Sequence, residues 1–340
     1  MLKVAIVILN WNGKKFLEQF LPSVVKNSPQ FAEIIVADNA STDDSIAFLK
    51  QYYPEITLII NEDNGGYAKG YNDALSQIEA QYYVLLNSDI EVASNWVEPI
   101  IEFMDENPDI AACQPKILSY HQKTHFEYAG AGGGYIDKYG YPFCRGRVFQ
   151  EVEQDLGQYD DIKEVFWASG ACMFVKSDIF HQLDGLDADF FAHMEEIDFC
   201  WRAKNAGYKI YYHPKSVVYH VGGGTLPKSS PRKTYLNFRN NFFLLYKNLE
   251  SKNLGAVFFW RLILDGIAGL KFFMDGSLKN TLAVYKAHLH FYAAISKLKK
   301  KRKKLKQNTV SQVYQRNIVY EHFVKRIKTF DGLNKNKFKS

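Results

Sequence analysis

From Val4 to Asp89 the chain alternates between short apolar runs and amphipathic stretches, and each apolar run stops at polar residues. Val4–Leu9 is continuously apolar and ends at Asn10-Trp11-Asn12-Gly13, which predicts a strand buried on both faces. Lys14–Lys26 follows with helical spacing. Glu33–Ala37 predicts a second strand ending at Asp38-Asn39, and Ser41-Thr42-Asp43-Asp44 then opens a helix, with acids where the helix dipole favours them. Thr57–Ile60 predicts a third strand. The loop Asn61–Gly66 leads into a helix from about Tyr67 to Ser76, and Tyr82–Leu86 predicts a fourth strand ending at Asn87-Ser88-Asp89. Strand and helix alternating at this spacing imply a parallel sheet with helices on both faces. Ligands of such sheets bind at the carboxyl ends of the strands, which places Asn10, Asp38, Gly65 and Asp89 on one rim.

The pattern then loosens. Ile110 to about Gln158 is Gly- and Tyr-rich and reads as an excursion of short strands and loops. Regularity returns at Val165–Val175, in a helix over Glu195–Ala206, and in two short strands, Lys209–Tyr212 and Val217–His220. No internal repeat is visible. Beyond Lys228 the chain turns helical and aromatic-rich, over Tyr235–Asn248 and Leu254–Met274. The second stretch has 21 residues interrupted by Arg261, Asp265 and Lys271. That is too many charges for a simple spanning helix, and predicts an interfacial helix carrying them on its polar face.

Charge sharpens the division. The net charge of +5 over 340 residues splits into −15 from Met1 to Pro227 and +20 from Lys228 to Ser340. Eight of the ten residues in Lys297–Lys306 are basic. An acidic body with a basic tail points to an anionic surface as partner. The acidic body and the lack of any recognised motif argue against nucleic acid. With 47% hydrophobic residues the chain can bury a substantial core, and its 25 Phe and 22 Tyr suit broad apolar surfaces, sugar stacking or a membrane-facing patch. Cys113, Cys144, Cys172 and Cys200 form no CxxC pair, so reduced core thiols are expected rather than a zinc or redox site. The six-residue run Val4–Leu9 is too short for a signal peptide, so a cytoplasmic catalytic region is expected.

Each polar cluster admits two readings. Asp38 can accept hydrogen bonds from a base or ribose, or belong to a helix cap together with Ser41 or Asp43. Asn64-Gly65-Gly66-Tyr67-Ala68-Lys69-Gly70-Tyr71-Asn72 is a glycine-rich entry to a helix, fit for phosphate or for a plain tight turn. It has neither P-loop nor GxGxxG spacing. Asn87-Ser88-Asp89 can supply a carboxylate to a hard divalent cation on a diphosphate, or simply end a strand. Glu195, Glu196 and Asp198 can provide a general base and acceptor contacts, with Arg202 holding one of them. They can equally be the acidic first turn of a helix with an i,i+4 pair. His220, before Gly222-Gly223-Gly224-Thr225, can bind metal or phosphate or be structural.

The order of these clusters is more specific than any one of them. Val7-Ile8-Leu9-Asn10-Trp11-Asn12-Gly13, then Asp38 to Asp43, Asn64 to Ala68 and Leu86-Asn87-Ser88-Asp89 resemble the family 2 glycosyltransferases. Gly185-Leu186-Asp187, Phe190-Phe191, Glu195 to Arg202, Gly207-Tyr208 and His220 continue the resemblance, which covers about residues 1–227 and is similar to the rhamnosyltransferase-like subgroup of bacterial polysaccharide assembly. It implies a GT-A fold: a Rossmann-like α/β domain with a mixed, mainly parallel sheet over residues 1–227. A basic, aromatic-rich helical tail, expected to associate with membrane, follows over 228–340.

The resemblance also implies a nucleoside-diphosphate sugar donor (dTDP-, UDP- or GDP-linked) and Mg²⁺ or Mn²⁺. The donor would lie against Asn10, Asn12, Asp38, Asn39, Ser41, Asn64, Gly65, Gly66, Ala68, Asn72, Asn87 and Ser88, and the metal against Asp89 and His220. Ser169, Gly170, Ala171, Trp201 and Arg202 would line the sugar or acceptor region. Glu196 would be the base with Glu195 as near rival, and Asp198 would support their helix. Two departures stand out: Asn87 replaces an Asp of the metal motif, and Glu195-Glu196 replaces Glu-Asp. The implied reaction is inverting transfer to a hydroxyl of a glycan or lipid-linked glycan in cell-surface polysaccharide synthesis, at the cytoplasmic face of the cell membrane. The competing readings are an inactive or non-enzymatic protein that binds nucleotide sugars or an anionic surface, a nucleotidyltransferase and a dehydrogenase. The last two want a glycine-rich basic loop or GxGxxG where Asn10-Trp11-Asn12-Gly13 stands.

Overall fold

The computed structural model describes residues 2–222 and 230–339, so Gly223, Gly224, Thr225 and the boundary at Pro227 lie outside the described residues. In chain order the elements of the first half are β1 (Leu2–Asn10), α1 (Lys14–Asn27), β2 (Ala32–Asp38), α2 (Ser45–Tyr52), β3 (Thr57–Ile60), α3 (Gly66–Leu75), β4 (Ala80–Asn87), β5 (Ile90–Val92), α4 (Glu98–Glu106) and β6 (Ile110–Ser119). The Gly- and Tyr-rich excursion holds β7 (Gly134–Asp137), β8 (Pro142–Cys144), β9 (Arg147–Val148) and β10 (Glu151–Val152). Then come β11 (Lys163–Val165), β12 (Cys172–Lys176), α5 (Ser177–Gln182), α6 (Glu195–Asn205) and β13 (Lys209–His220). The tail contributes α7 (Pro231–Asn248), α8 (Ser251–Met274), α9 (Leu278–Lys304), β14 (Val313–Tyr314) and α10 (Ile318–Phe323).

The main sheet runs β11-β13-β6-β12-β4-β1-β2-β3, with β5 on β13. β3, β2, β1 and β4 are parallel, β12 is antiparallel to β4 and β6, and β13 returns parallel to β6. Both faces of β1 are covered: Val4, Ile6 and Ile8 pack with α1 and α4, and Ala5 and Val7 pack with α3. That two-sided burial is why the run is apolar without alternation. Register levels the carboxyl ends, with Asn10 opposite Asp38 and Leu9 opposite Asn87.

The regular stretch Val165–Val175 spans the end of β11, a turn at Gly170-Ala171 and most of β12. Three sequence expectations need revision. The two short strands after α6 are one, β13, with a bulge between His213 and Val217. α2 starts at Ser45, four residues later than expected, because Asp38, Ser41 and Asp43 are spent on the loop before it. In α8, Arg261 and Asp265 do not lie on a polar outer face: they are 1% and 0% exposed, turned into the protein. All four cysteines are free and buried, as expected.

The tail folds back on the acidic body. α7 packs on α6 and α9, and β14 pairs in parallel with β7 at the edge of a small second sheet of order β10-β9-β8-β7-β14. Lys297 pairs with Asp189 at 2.6 Å, and Lys301 with Asp187 at 2.5 Å and Asp189 at 2.7 Å, so part of the tail's charge is met internally. Among the described residues no helix is long and apolar enough to cross a membrane.

Candidate active site

The rim begins where β1 and β2 end. Asp38 is fully buried, and its two oxygens accept from the Asn10 side chain at 2.8 Å and the Ser41 amide at 2.7 Å. Asn12, at φ 50°, accepts from the amides of Thr42 and Asp43, and its own amide donates to Ser41 Oγ at 2.8 Å. The two loops thus brace each other, and Asn10 Oδ1 is left buried without a protein partner. Gly13 allows this closeness, since a Cβ there would stand 2.4 Å from Asn10 Oδ1. The same hypothetical atom would stand 3.5 Å from Ser88 Oγ.

Asn39 donates to the Gly66 carbonyl at 3.0 Å and accepts from Asn61 at 2.7 Å. Asn64 Oδ1 accepts from the Gly66 amide at 3.0 Å. Gly66 sits at φ 81° with the Phe191 carbonyl 2.4 Å from where its Cβ would be, so only glycine fits. The Tyr67 amide donates to that carbonyl at 2.8 Å, and its hydroxyl donates to the Gly170 carbonyl at 2.6 Å. The Ala171 carbonyl accepts from the Asn87 amide at 2.9 Å, joining this turn to the end of β4.

Beside it stands a carboxylate–histidine–carboxylate row. His220 Nε2 lies 3.2 Å from Asp89 Oδ1, and Nδ1 lies 3.0 Å from Glu127 Oε2. Burial works to lower the imidazole's pKa, but the two carboxylates push it up to about 10. Burial likewise works to raise Asp89 and Glu127, but His220 holds both below the usual carboxylate range. Gly222, at φ 72°, gives Glu127 its room, since a Cβ would meet Glu127 Oε1 at 2.4 Å.

The two glutamates open α6. Glu195 is buried and Glu196 half-buried, and each has one oxygen without a protein partner. Burial pushes Glu196 up to about 7, against the pull of the amides of Glu196, Ile197 and Met194. Burial and then the charge of Glu196 push Glu195 well above its usual range. The phenol of Tyr67 is raised mainly by burial, with the charges of Tyr71, Glu195 and Glu196 adding to it. Asp198 points elsewhere: it accepts from Arg202, Lys247 and Asn248, each at 2.8 Å. Arg202 also donates to the carbonyls of Leu183 and Gly185, stapling α6 to the preceding loop.

The structure thus brings Asn10, Asn12, Asp38, Asn39, Ser41, Asn64, Gly65, Gly66, Asn87, Ser88, Asp89, Gly170, Ala171, Glu195, Glu196 and His220 to one rim and its adjoining loops. Other candidates are occupied elsewhere. Ala68 is wholly buried in the core, and both ends of the Asn72 amide clamp Leu186, at 2.7 and 2.9 Å. Ser169 Oγ donates to the Ala129 carbonyl at 2.6 Å. Trp201 packs edge-on against Phe166 and lines a separate cavity of about 340 Å³ with Leu249 and Trp260. Sequence reasoning missed Glu127, Asn61, Asn240 and Lys247. Glu127 lies in the irregular excursion and carries no local signal. Asn240-Asn241, two amides in an aromatic helix, were a legible anomaly.

A divalent cation was expected at Asp89 and His220. Nε2 is aimed at Asp89 while Glu127 braces Nδ1, the second-sphere arrangement usual for a ligating histidine. Among the described residues no group of three or more His, Cys, Asp or Glu could hold a metal ion unaided. A shell of one carboxylate and one imidazole therefore fits only a cation whose other ligands come from diphosphate and water.

A sequence profile of the glycosyl transferase family 2 matches residues 5–183. The N-acetylglucosaminyl-diphospho-decaprenol L-rhamnosyltransferase of Mycobacterium tuberculosis is 24% identical over 230 residues, 63% of this chain and 75% of that protein. The low-salt glycan biosynthesis hexosyltransferase Agl10 of Haloferax volcanii is 23% identical over 75% of this chain and 78% of its own. Among solved structures, the mannosyltransferase PcManGT from Pyrobaculum calidifontis, in complex with GDP-Man and Mn²⁺, superposes with a TM-score of 0.53 at 14% identity, covering 88% of this chain and 84% of that one. GalNAc-T7 with UDP, GalNAc and Mn²⁺ gives a TM-score of 0.56 at 18% identity over 74% of this chain, which spans about half (49%) of that structure's length. These likenesses show the GT-A fold.

Proposed function

Because the chain belongs to glycosyl transferase family 2, we propose that it moves one sugar from a nucleoside-diphosphate donor to a hydroxyl of a glycan acceptor, with inversion at the anomeric carbon. Glycosyl transfer in polysaccharide synthesis is the activity its relatives support. The observation that carries the finer reading is Glu196: half-buried at a helix start, with an oxygen free of protein partners and a pKa raised to about 7. A carboxylate poised near neutrality is suited to take a proton from an incoming hydroxyl. Glu195 is more deeply buried, and burial together with the charge of Glu196 raises its carboxyl well above the usual range, which suits it less to the role of base.

Asp38 faces the base or ribose. Each of its oxygens accepts one protein hydrogen bond, which leaves lone pairs for donors on the nucleoside. The Gly65-Gly66 entry to α3 lets the backbone come close to a ligand. Asp89 and His220 would hold Mg²⁺ or Mn²⁺, and the ion, when bound, would neutralise charge on the departing diphosphate. The mycobacterial relative is named for N-acetylglucosaminyl-diphospho-decaprenol, a lipid-linked sugar. Together with the tail's charge, this supports an acceptor presented at an anionic membrane surface on the cytoplasmic side.

A thermal-shift panel of nucleoside diphosphates and their sugars, with and without Mn²⁺, tests the donor half. Stabilisation by one nucleotide, lost in Asp38→Ala, is expected. No stabilisation by any of them would overturn it.

A further inference from the structure

α8 is built inside out. Its buried stripe is Val257, Arg261, Asp265 and Gly269, so both of its central charges face the protein. Arg261 pairs with Asp265 at 3.1 Å and donates to the Tyr139 carbonyl at 3.0 Å and to Asn241. Asp265 also accepts from the Tyr141 hydroxyl at 3.1 Å and lies 3.3 Å from His288. The network ties α8 to the small sheet, to α7 and to α9 at once, so this helix cannot roll its charges outward without leaving all three unpaired.

The outward side carries the apolar residues instead. Phe259, Ile267, Leu270 and Phe273 are each about 60% exposed, with Trp260 and Ile263 beside them. α9 extends the patch with Leu278, Leu282, Tyr285 and Leu289, at helical spacing and all exposed. Among the described residues, 13 of the 23 exposed large hydrophobic side chains fall between Phe259 and Tyr292, a tenth of the chain. Monomeric soluble proteins rarely keep such a concentration against water.

We propose that this face of the α8–α9 hairpin lies in the interfacial layer of a phospholipid bilayer, its apolar side chains among the acyl chains and the exposed lysines at the end of α9 among anionic headgroups. The proposal rests on the membrane-surface reading above and changes its physics from attraction by a charged tail to insertion by a folded face. Charge chooses lipid over a second copy of the chain. Lys299, Lys300, Lys303 and Lys304 are exposed on the same hairpin. Its two acids are Asp265, which is buried, and Asp275, which Lys271 occupies. A second copy would bring another +20 tail with no free carboxylate on this face to meet it. Since no described helix can span a bilayer, the hairpin lies in the plane of the surface.

The test is flotation of the full-length protein with phosphatidylcholine vesicles containing about one-third phosphatidylglycerol, at low salt and at about 1 M salt, where charges are screened beyond about 3 Å. The protein should remain on the vesicles at high salt. Ile267→Glu with Leu270→Glu, at exposed positions, should lower high-salt partitioning by more than about tenfold, with thermal stability and nucleotide binding unchanged. Binding at low salt that high salt abolishes would overturn insertion and leave only electrostatic attachment. No binding of the wild-type chain at either salt would overturn the membrane reading as a whole. A lipid-free dimer that the double variant converts to monomer would assign the face to a second copy.

Discussion

The side-chain amide of Asn240 donates to the carbonyl of His193 at 2.7 Å, and the same nitrogen lies 2.9 Å from the carbonyls of Phe190 and Ala192. Phe191, His193 and Met194 have φ of 65°, 70° and 76°, a left-handed stretch of ordinary residues directly before Glu195 and Glu196. Each such residue costs about 1–3 kcal/mol, so the turn needs an outside hold, and a tail residue supplies it. Asn240→Ala should therefore lower kcat by about 10- to 100-fold while nucleotide binding, measured calorimetrically, stays near wild type. Equal kcat would show that the turn holds itself.

The two glutamates should separate by isosteric substitution. Glu196→Gln removes the proton acceptor, and turnover should fall by about 10²–10⁴. Glu195→Gln changes the more deeply buried neighbour, whose carboxyl is already pushed toward the neutral form by burial and by Glu196, and should cost far less. Initial rates of sugar transfer decide between them, and a reversed order would exchange their roles.

pH dependence follows from the same carboxyl. Burial raises Glu196 to about 7, so it is mostly protonated in mildly acidic solution, and kcat/KM should rise with pH and level off above about 7. In Glu196→Gln that limb should vanish. The folded state favours the neutral form, so this group's contribution to stability is present below the ordinary glutamate range and is lost as pH rises through about 7. Glu196→Gln should gain stability relative to wild type across that window, as urea unfolding at several pH values would show.

Glu127 should govern metal affinity without touching the metal. Its carboxylate sets the tautomer and direction of His220, so Glu127→Gln should weaken Mn²⁺ binding to the nucleotide complex by about 10- to 100-fold. Asp89→Ala should remove the metal dependence of donor binding. Titration of Mn²⁺ against the nucleoside diphosphate complex reads both.

Asp265 carries a structural prediction. Removing one member of a buried ionic network leaves the other charge uncompensated, so Asp265→Ala should destabilise the fold by about 3–5 kcal/mol in urea unfolding. Asp275→Ala breaks an exposed pair with Lys271 and should leave stability nearly unchanged. Similar losses in both would mean that α8 is not anchored through Asp265.

The rim was legible because it follows from local rules. A strand buried on both faces must be apolar throughout, and so Asn10, Asp38 and Asn87 marked where β1, β2 and β4 stop. The order of those stops carried the family, and the acids before Ile197 marked the start of α6. Three things needed the folded chain. Glu127 reaches His220 across 93 residues from an irregular segment, and Asn240 reaches His193 from 47 residues away. Which of Glu195 and Glu196 stays nearer solvent depends on packing around a turn that no periodicity describes. The polarity of α8 came out opposite to expectation for a related reason. A sequence shows that a helix holds both charges and aromatics, but Tyr139, Tyr141, Asn241 and His288 decide which side is inside, and only their assembly in space supplies partners enough to bury Arg261 and Asp265.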